Sequence, residues 1–139
     1  MTTIIYPASY NSLAQISKDV SQAGISAGLS AKDIYDVQVA IDEACTNIIE
    51  HGYGGECEGE ISCTFVVIEN GLKIILQDQG CWFDPNLLEE PDTLSNLDER
   101  KERGLGVFFM RKLMDVVIFE PRTDDGNTLV MIKYRQRNA

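Results

Sequence analysis

No apolar run in this 139-residue chain approaches the roughly 18 residues of a membrane-spanning helix. The N-terminal MTTIIYPASY has neither a basic flank nor a long apolar core, so it does not read as a secretory signal. Cytoplasmic localisation is therefore expected. The four cysteines, Cys45, Cys57, Cys63 and Cys81, form no CxxC pair and no ligand-like grouping with the single histidine. A chain of this length needs no disulfide staple, and buried, reduced thiols are expected instead. Basic residues are also scarce, 12 against 22 acidic, for a net charge of −10. That deficit excludes nucleic acid and anionic membrane as main partners, because both require a basic footprint.

What is present suits one globular domain spanning residues 1–139, with 44% hydrophobic and 24% charged residues. Residues 2–6 read as a short strand ended by Pro7. Leu13, Ile16, Val20 and Ala23 keep helical spacing from about Asn11, with Gly24 expected as the C-terminal cap. Ser30 and Asp33 resemble a capping box that opens a second helix. In that helix Ile34, Val37, Ile41, Ala44, Cys45 and Ile48 fall within about 100° of arc, a core-facing stripe. Residues 60–68 alternate apolar and polar, Asn70-Gly71 signals a tight turn, and Leu72, Ile74 and Leu76 continue the alternation to Asp78. Residues 84–103 carry seven acidic and three basic side chains with Pro85 and Pro91 and little periodicity. A helix is expected over 105–113, a strand over 115–120, a turn at Asp125-Gly126 and a last strand over 128–134. The sum is an α+β domain, a mostly antiparallel mixed sheet with helices on one face.

The chemistry concentrates in the run DEACTNIIEHGYG from Asp42 to Gly54. Glu43, Asn47 and His51 stand four apart, so on an α-helix they form one slanted stripe. Taken alone, such a triplet is most often a solvated helix face. Asn47 offers a neutral amide oxygen suited to a hard cation, and Glu43 one turn earlier could accept a proton or order a metal-bound water. Asp78 ends a strand, where a carboxylate can accept from an exocyclic amine, and Gly80 permits close approach or a positive φ. Gly104 and Gly106 are expected to precede a helix, where bare N–H groups bind phosphate, with Arg103 beside them.

In this order the motifs resemble those of the GHKL ATPases, and most of all the small bacterial anti-sigma-factor serine kinases of partner-switching systems. Glu43, Asn47, His51 and Tyr53 match E-x-x-x-N-x-x-x-H-x-Y. Asp78, Gly80 and Phe83 match D-x-G-x-x-F, while Arg103, Gly104, Leu105 and Gly106 match the R-G-L-G motif. Gly126 and Thr128 match a fourth motif, although Asn127 stands between them and the alignment could slip by one. The resemblance implies a two-layer α/β sandwich of the GHKL type that binds ATP with Mg²⁺. It implies Asn47 as the direct metal ligand, Glu43 as catalytic base, Asp78 and Thr128 at the adenine, and 84–103 as a lid over the nucleotide. The implied function is phosphorylation of a serine on a small antagonist protein by a kinase that otherwise holds a sigma factor inactive, with a homodimer as one expected state. Within the GHKL group, this length is expected to leave no room for a transducer domain or a phospho-acceptor helix pair. A non-catalytic ATP-binding module that captures a partner, and a kinase with a client other than a sigma factor, are the alternative readings.

Overall fold

The computed structural model describes residues 1–56, 59–80, 99–121 and 126–135, with the backbone alone at 99–105 and 121. The elements are β1 (Thr2–Pro7), a 3-10 turn (Tyr10–Ser12), α1 (Leu13–Ser26), α2 (Ala31–Asn47), a π turn (Ile48–Gly52), β2 (Glu60–Ile68), β3 (Gly71–Asp78), α3 (Glu99–Leu113), β4 (Val116–Pro121) and β5 (Asn127–Tyr134). The strands lie in the order β1-β2-β3-β5-β4, and every pair is antiparallel, where a mixed sheet was expected.

Strand parity explains how helices and sheet meet. Ile61, Cys63 and Phe65 of β2, Leu72, Ile74 and Leu76 of β3, and Leu129 and Met131 of β5 are buried on one face. Ile16 and Val20 of α1, Val37, Ile41, Ala44 and Cys45 of α2, and Met110 of α3 join them in a single core. Val37 and Ile41 carry β-branched side chains whose helix propensity is about half a kcal/mol below alanine's. Their burial, 0% and 1% exposed, stabilises by about 1.5–3 kcal/mol each, so packing decides the helix. The alternation fails at Val67, which is 53% exposed. It lies beyond the last β1–β2 pair, Thr2 with Phe65, where β1 no longer flanks β2.

Three local expectations shift. Helix α1 runs through Gly24 to Ser26, and Gly28 adopts the left-handed conformation after its end, φ +77°. Gly24 is instead a packing glycine, since a Cβ there would meet Ile34 Cγ1 at 2.6 Å. Ser30 caps α2, its hydroxyl accepting the Asp33 N–H at 3.1 Å, but the carboxylate of Asp33 does not return the bond. Buried at the first turn, that carboxylate is offset by the positive end of the helix dipole. The third shift is one of register. Ile68 pairs with Gly71, so Glu69 and Asn70 make the turn and Gly71 already belongs to β3.

An ionic tie joins the layers behind the sheet. Buried Lys133 donates to the Leu113 carbonyl at 2.6 Å, capping the end of α3, and reaches Asp36 of α2 at 3.5 Å. Lys32 shares the same Asp36 oxygen at 3.1 Å. Gly71 owes its identity to a close approach, because a Cβ there would lie 2.1 Å from the Lys133 carbonyl oxygen. Gly71→Ala should therefore lower the urea-unfolding free energy by about 1–3 kcal/mol. An unchanged midpoint would contradict this packing.

Candidate nucleotide site

The site begins where α2 stops being an α-helix. The Tyr53 N–H bonds the Ile48 carbonyl at 2.9 Å, five residues back, so the chain widens into a π turn. His51 sits on this wider turn, and the single α-helical stripe expected from the spacing holds for Glu43 and Asn47 only. Gly52 ends the π turn in direct contact with the strand-end motif. A Cβ on Gly80 would lie 2.6–2.7 Å from backbone atoms of Gly52, so the two glycine backbones touch. Gly80 is thus needed for close approach to Gly52, and positive φ does not enter.

Tyr53 bolts this junction. Its hydroxyl donates to the Glu60 carbonyl at 2.6 Å and accepts the Gln79 N–H at 2.8 Å. Asp78 is buried, 3% exposed, and its Oδ1 accepts from the Gly80 N–H at 2.8 Å and from Asn127 Nδ2 at 2.9 Å. Gly126 holds φ +98° as a turn residue, and a Cβ there would strike the Asp78 carbonyl oxygen at 2.1 Å.

Across the cleft, Asn47 is buried and its Nδ2 has no hydrogen-bond partner among the described residues. Gly106 of α3 lies against it. A Cβ there would come 3.1 Å from Asn47 Nδ2 and 3.3 Å from Glu43 Oε2. Bare backbone therefore faces an amide and a carboxylate side by side. Burial raises the carboxyl pKa of half-buried Glu43, and the charges of Asp42 and Glu50 raise it further.

Between these groups runs a cleft of about 370 Å³, its open mouth included. Ile48, Met110, Phe119 and Leu129 give it apolar walls, and Asn47, Asp78 and Asn127 give it polar groups. A flat heterocycle with a few hydrogen-bonding edges suits such a lining. Among the described residues no group of three or more His, Cys, Asp or Glu could hold a metal ion. The side-chain amide of Asn47 carries a neutral oxygen of the kind a hard cation accepts beside phosphate and water ligands.

Of the expected residues Asn47 and Asp78 line this cleft, Glu43 and Gly106 lie beside Asn47, Gly80 lies against Gly52, and His51 is on the adjoining π turn. The structure does not bring Thr128 to the cleft. Thr128 pairs with Gln77 in register and shares a 3.5 Å side-chain hydrogen bond with it. The period-two alternation puts both on the face away from Asp78. Asn127 takes the place opposite Asp78. The parity of buried Leu129 and Met131 was the signal that could have found it. Arg103, Gly104 and Gly106 also differ from expectation, lying within α3, which starts at Glu99, instead of preceding a helix; Leu105 is helical as expected. Phe83 and most of the expected lid, 84–98, lie outside the described residues.

A profile described as the histidine kinase-like ATPase domain matches residues 6–133, from the end of β1 to β5. The chain belongs to that family. Membership of the ATPase family implies ATP binding. Curated relatives narrow the kinship. The serine-protein kinase RsbW of Bacillus velezensis is 40% identical over 111 residues, 77% of this chain and 68% of its own length. RsbW of Bacillus thuringiensis is 40% identical over 114 residues, 79% and 69% of the two chains. Among solved structures, the RsbU and RsbW domains of a Mycobacterium tuberculosis protein align with a TM-score of 0.65 at 17% identity, over 100% of this chain and 34% of that one. The histidine kinase domain of a blue-light activated kinase from Erythrobacter litoralis aligns at 0.55 and 15% identity, over 92% and 61%. These two likenesses bear on the fold, and it is the GHKL sandwich.

The family site contains a raised carboxyl, which gives a direct check. In a ¹³C NMR titration Glu43 should titrate above the ordinary glutamate value of about 4.3. Glu50→Gln removes one repelling charge and should move that midpoint to lower pH. A midpoint unmoved by the substitution would remove Glu50 from the cause.

Proposed function

We propose that this chain is an ATP-dependent serine protein kinase of the RsbW kind. It phosphorylates a small antagonist protein and, when the antagonist is phosphorylated and released, holds a sigma factor captive. The single observation behind this reading is the placement of Glu43 and buried Asn47 together against Gly106, beside a cleft lined by Asn47 and Asp78. A nucleotide holder has no need of a carboxylate with an elevated pKa beside its cation site. The kinship with RsbW serine-protein kinases supports the same reading.

Each residue has a task in this proposal. Asp78 accepts the exocyclic amine of adenine, and the apolar walls receive the ring. Asn47 contributes its amide oxygen to Mg²⁺, which when bound supplies charge neutralisation for the phosphates. Glu43 accepts the proton of the partner's serine hydroxyl as the new P–O bond forms and the bond to the ADP oxygen breaks. A carboxylate of raised pKa is the better proton acceptor once ionised. Arg103 is assigned to the terminal phosphates, on the strength of the motif.

No helix among the described residues is long and apolar enough to cross a membrane, which agrees with soluble protein partners. The sigma factor and the antagonist come from the resemblance to anti-sigma-factor kinases. A client of another kind would leave the chemistry unchanged.

Calorimetry with Mg-ATP should give a micromolar Kd, about −8 kcal/mol. Asp78→Asn should weaken it at least tenfold. Glu43→Ala should retain nucleotide binding while transfer of labelled phosphate to the antagonist falls by about 10²–10⁴-fold. Equal transfer by Glu43→Ala and wild type would remove Glu43 from catalysis, and absent transfer by wild type to any candidate antagonist would favour a binding module.

A further inference from the structure

Asn127 does more at the base end of the cleft than any expectation assigned to it. It is 9% exposed and stands opposite Asp78 in the β3–β5 register. Its Nδ2 donates to Asp78 Oδ1 at 2.9 Å and to the Gly80 carbonyl at 3.4 Å. Both partners are acceptors only, so the amide orientation follows from chemistry: the nitrogen must face them. A carboxamide nitrogen has two hydrogens and can serve both acceptors at once. A threonine hydroxyl has one hydrogen and could serve only one of them.

The consequence falls on Asp78. Its Oδ1 also accepts the Gly80 N–H at 2.8 Å, so two donors fix one oxygen of a buried carboxylate. Two charge-assisted bonds offset part of the burial of the ion and prevent its rotation. A carboxylate gripped in this way presents its acceptor oxygens in a fixed place. It can take the hydrogen of a 6-amino group, and it repels a 6-oxo oxygen.

We propose that Asn127 is the positioning residue that sets base selectivity, holding Asp78 as a fixed acceptor for purines bearing a 6-amino donor. This rests on the ATP reading above and deepens it. Asn127 acts through Asp78 and touches no reacting atom.

The test compares two nucleotides on one protein, so a general loss of stability cancels. Mg-ATP and the triphosphate of purine riboside, which lacks the 6-amino group, are titrated into the full chain. Wild type should prefer ATP on the order of 10- to 100-fold, the worth of one hydrogen bond to a charged group. In Asn127→Ala the preference should collapse to about threefold or less. Asn127→Thr, with one donor hydrogen, should fall between, and it carries the same readout if the alanine variant does not fold. A preference in both variants equal to that of wild type overturns the assignment while leaving ATP binding standing. A wild type that binds ATP but discriminates no better than threefold also overturns it. A wild type that binds neither nucleotide sinks the ATP reading, and this inference with it.

Discussion

The contact between the backbones of Gly52 and Gly80 is the constraint on which the site depends. Gly80 cannot carry a side chain into that gap, since a Cβ there would lie 2.6–2.7 Å from Gly52 atoms. The contact brings the end of the motif helix to the end of β3, and so brings Asn47 and Asp78 to one cleft. Tyr53 then holds the seam from above through Gln79 and Glu60. The π turn belongs to the same arrangement. Its wider winding delivers Gly52 to Gly80, and the geometric tidiness of an uninterrupted α-helix is given up for that contact.

Electrostatics separates the two ends of the cleft. At the base end Asp78 is buried but served by two donors, so its charge is compensated locally. At the other end Glu43 has no such help in the described surroundings: burial and the neighbouring charges of Asp42 and Glu50 all act against its ionised form. Lys133 and Arg135 are committed elsewhere. Lys133 serves Asp36 and the end of α3, and Arg135 reaches carbonyls of Ala27 and Glu69. In a protein of net charge −10, binding a polyphosphate calls for local positive charge or hydrogen-bond donors at the phosphates. The Nδ2 of Asn47, buried and without a partner among the described residues, is one donor in reach of the cleft.

Most of the architecture was legible because it follows from periodicity. The alternation in 60–68 and 72–76, and the stripe from Ile34 to Cys45, became β2, β3 and the buried face of α2. Most of the misses share one physical origin: the role of a glycine and the face of a strand residue are ambiguous until the packing partner is known. Gly71 looked like half of a turn and is a strand residue pressed against the Lys133 carbonyl. Gly24 looked like a cap and is a packing gap for Ile34, with Gly28 doing the capping. Thr128 matched a motif by type, yet one residue along a strand reverses the face, and Asn127 is the one beside Asp78. The π turn was invisible because a step-of-four pattern cannot report a change of winding. The acidic run 84–98 left no periodicity to read and lies outside the described residues.

The two ends of the cleft also differ in what holds them. The base end is made from strand partners and two touching glycines, with Asn127 and Asp78 paired in register across β3 and β5. Such a site has little freedom, because moving it requires breaking the sheet ladder. The Glu43 end is closed by α3, which meets that pair through the bare backbone of Gly106. Lys133 grips the carbonyl of Leu113 at the far end of the same helix. Helix α3 is thus held at its C-terminus by Lys133 and packs as bare backbone against the acid and amide at Gly106. Asp78 is held instead by Asn127 and Gly80. The two groups of polar side chains are therefore fixed by different elements, one by helix packing and the other by strand pairing.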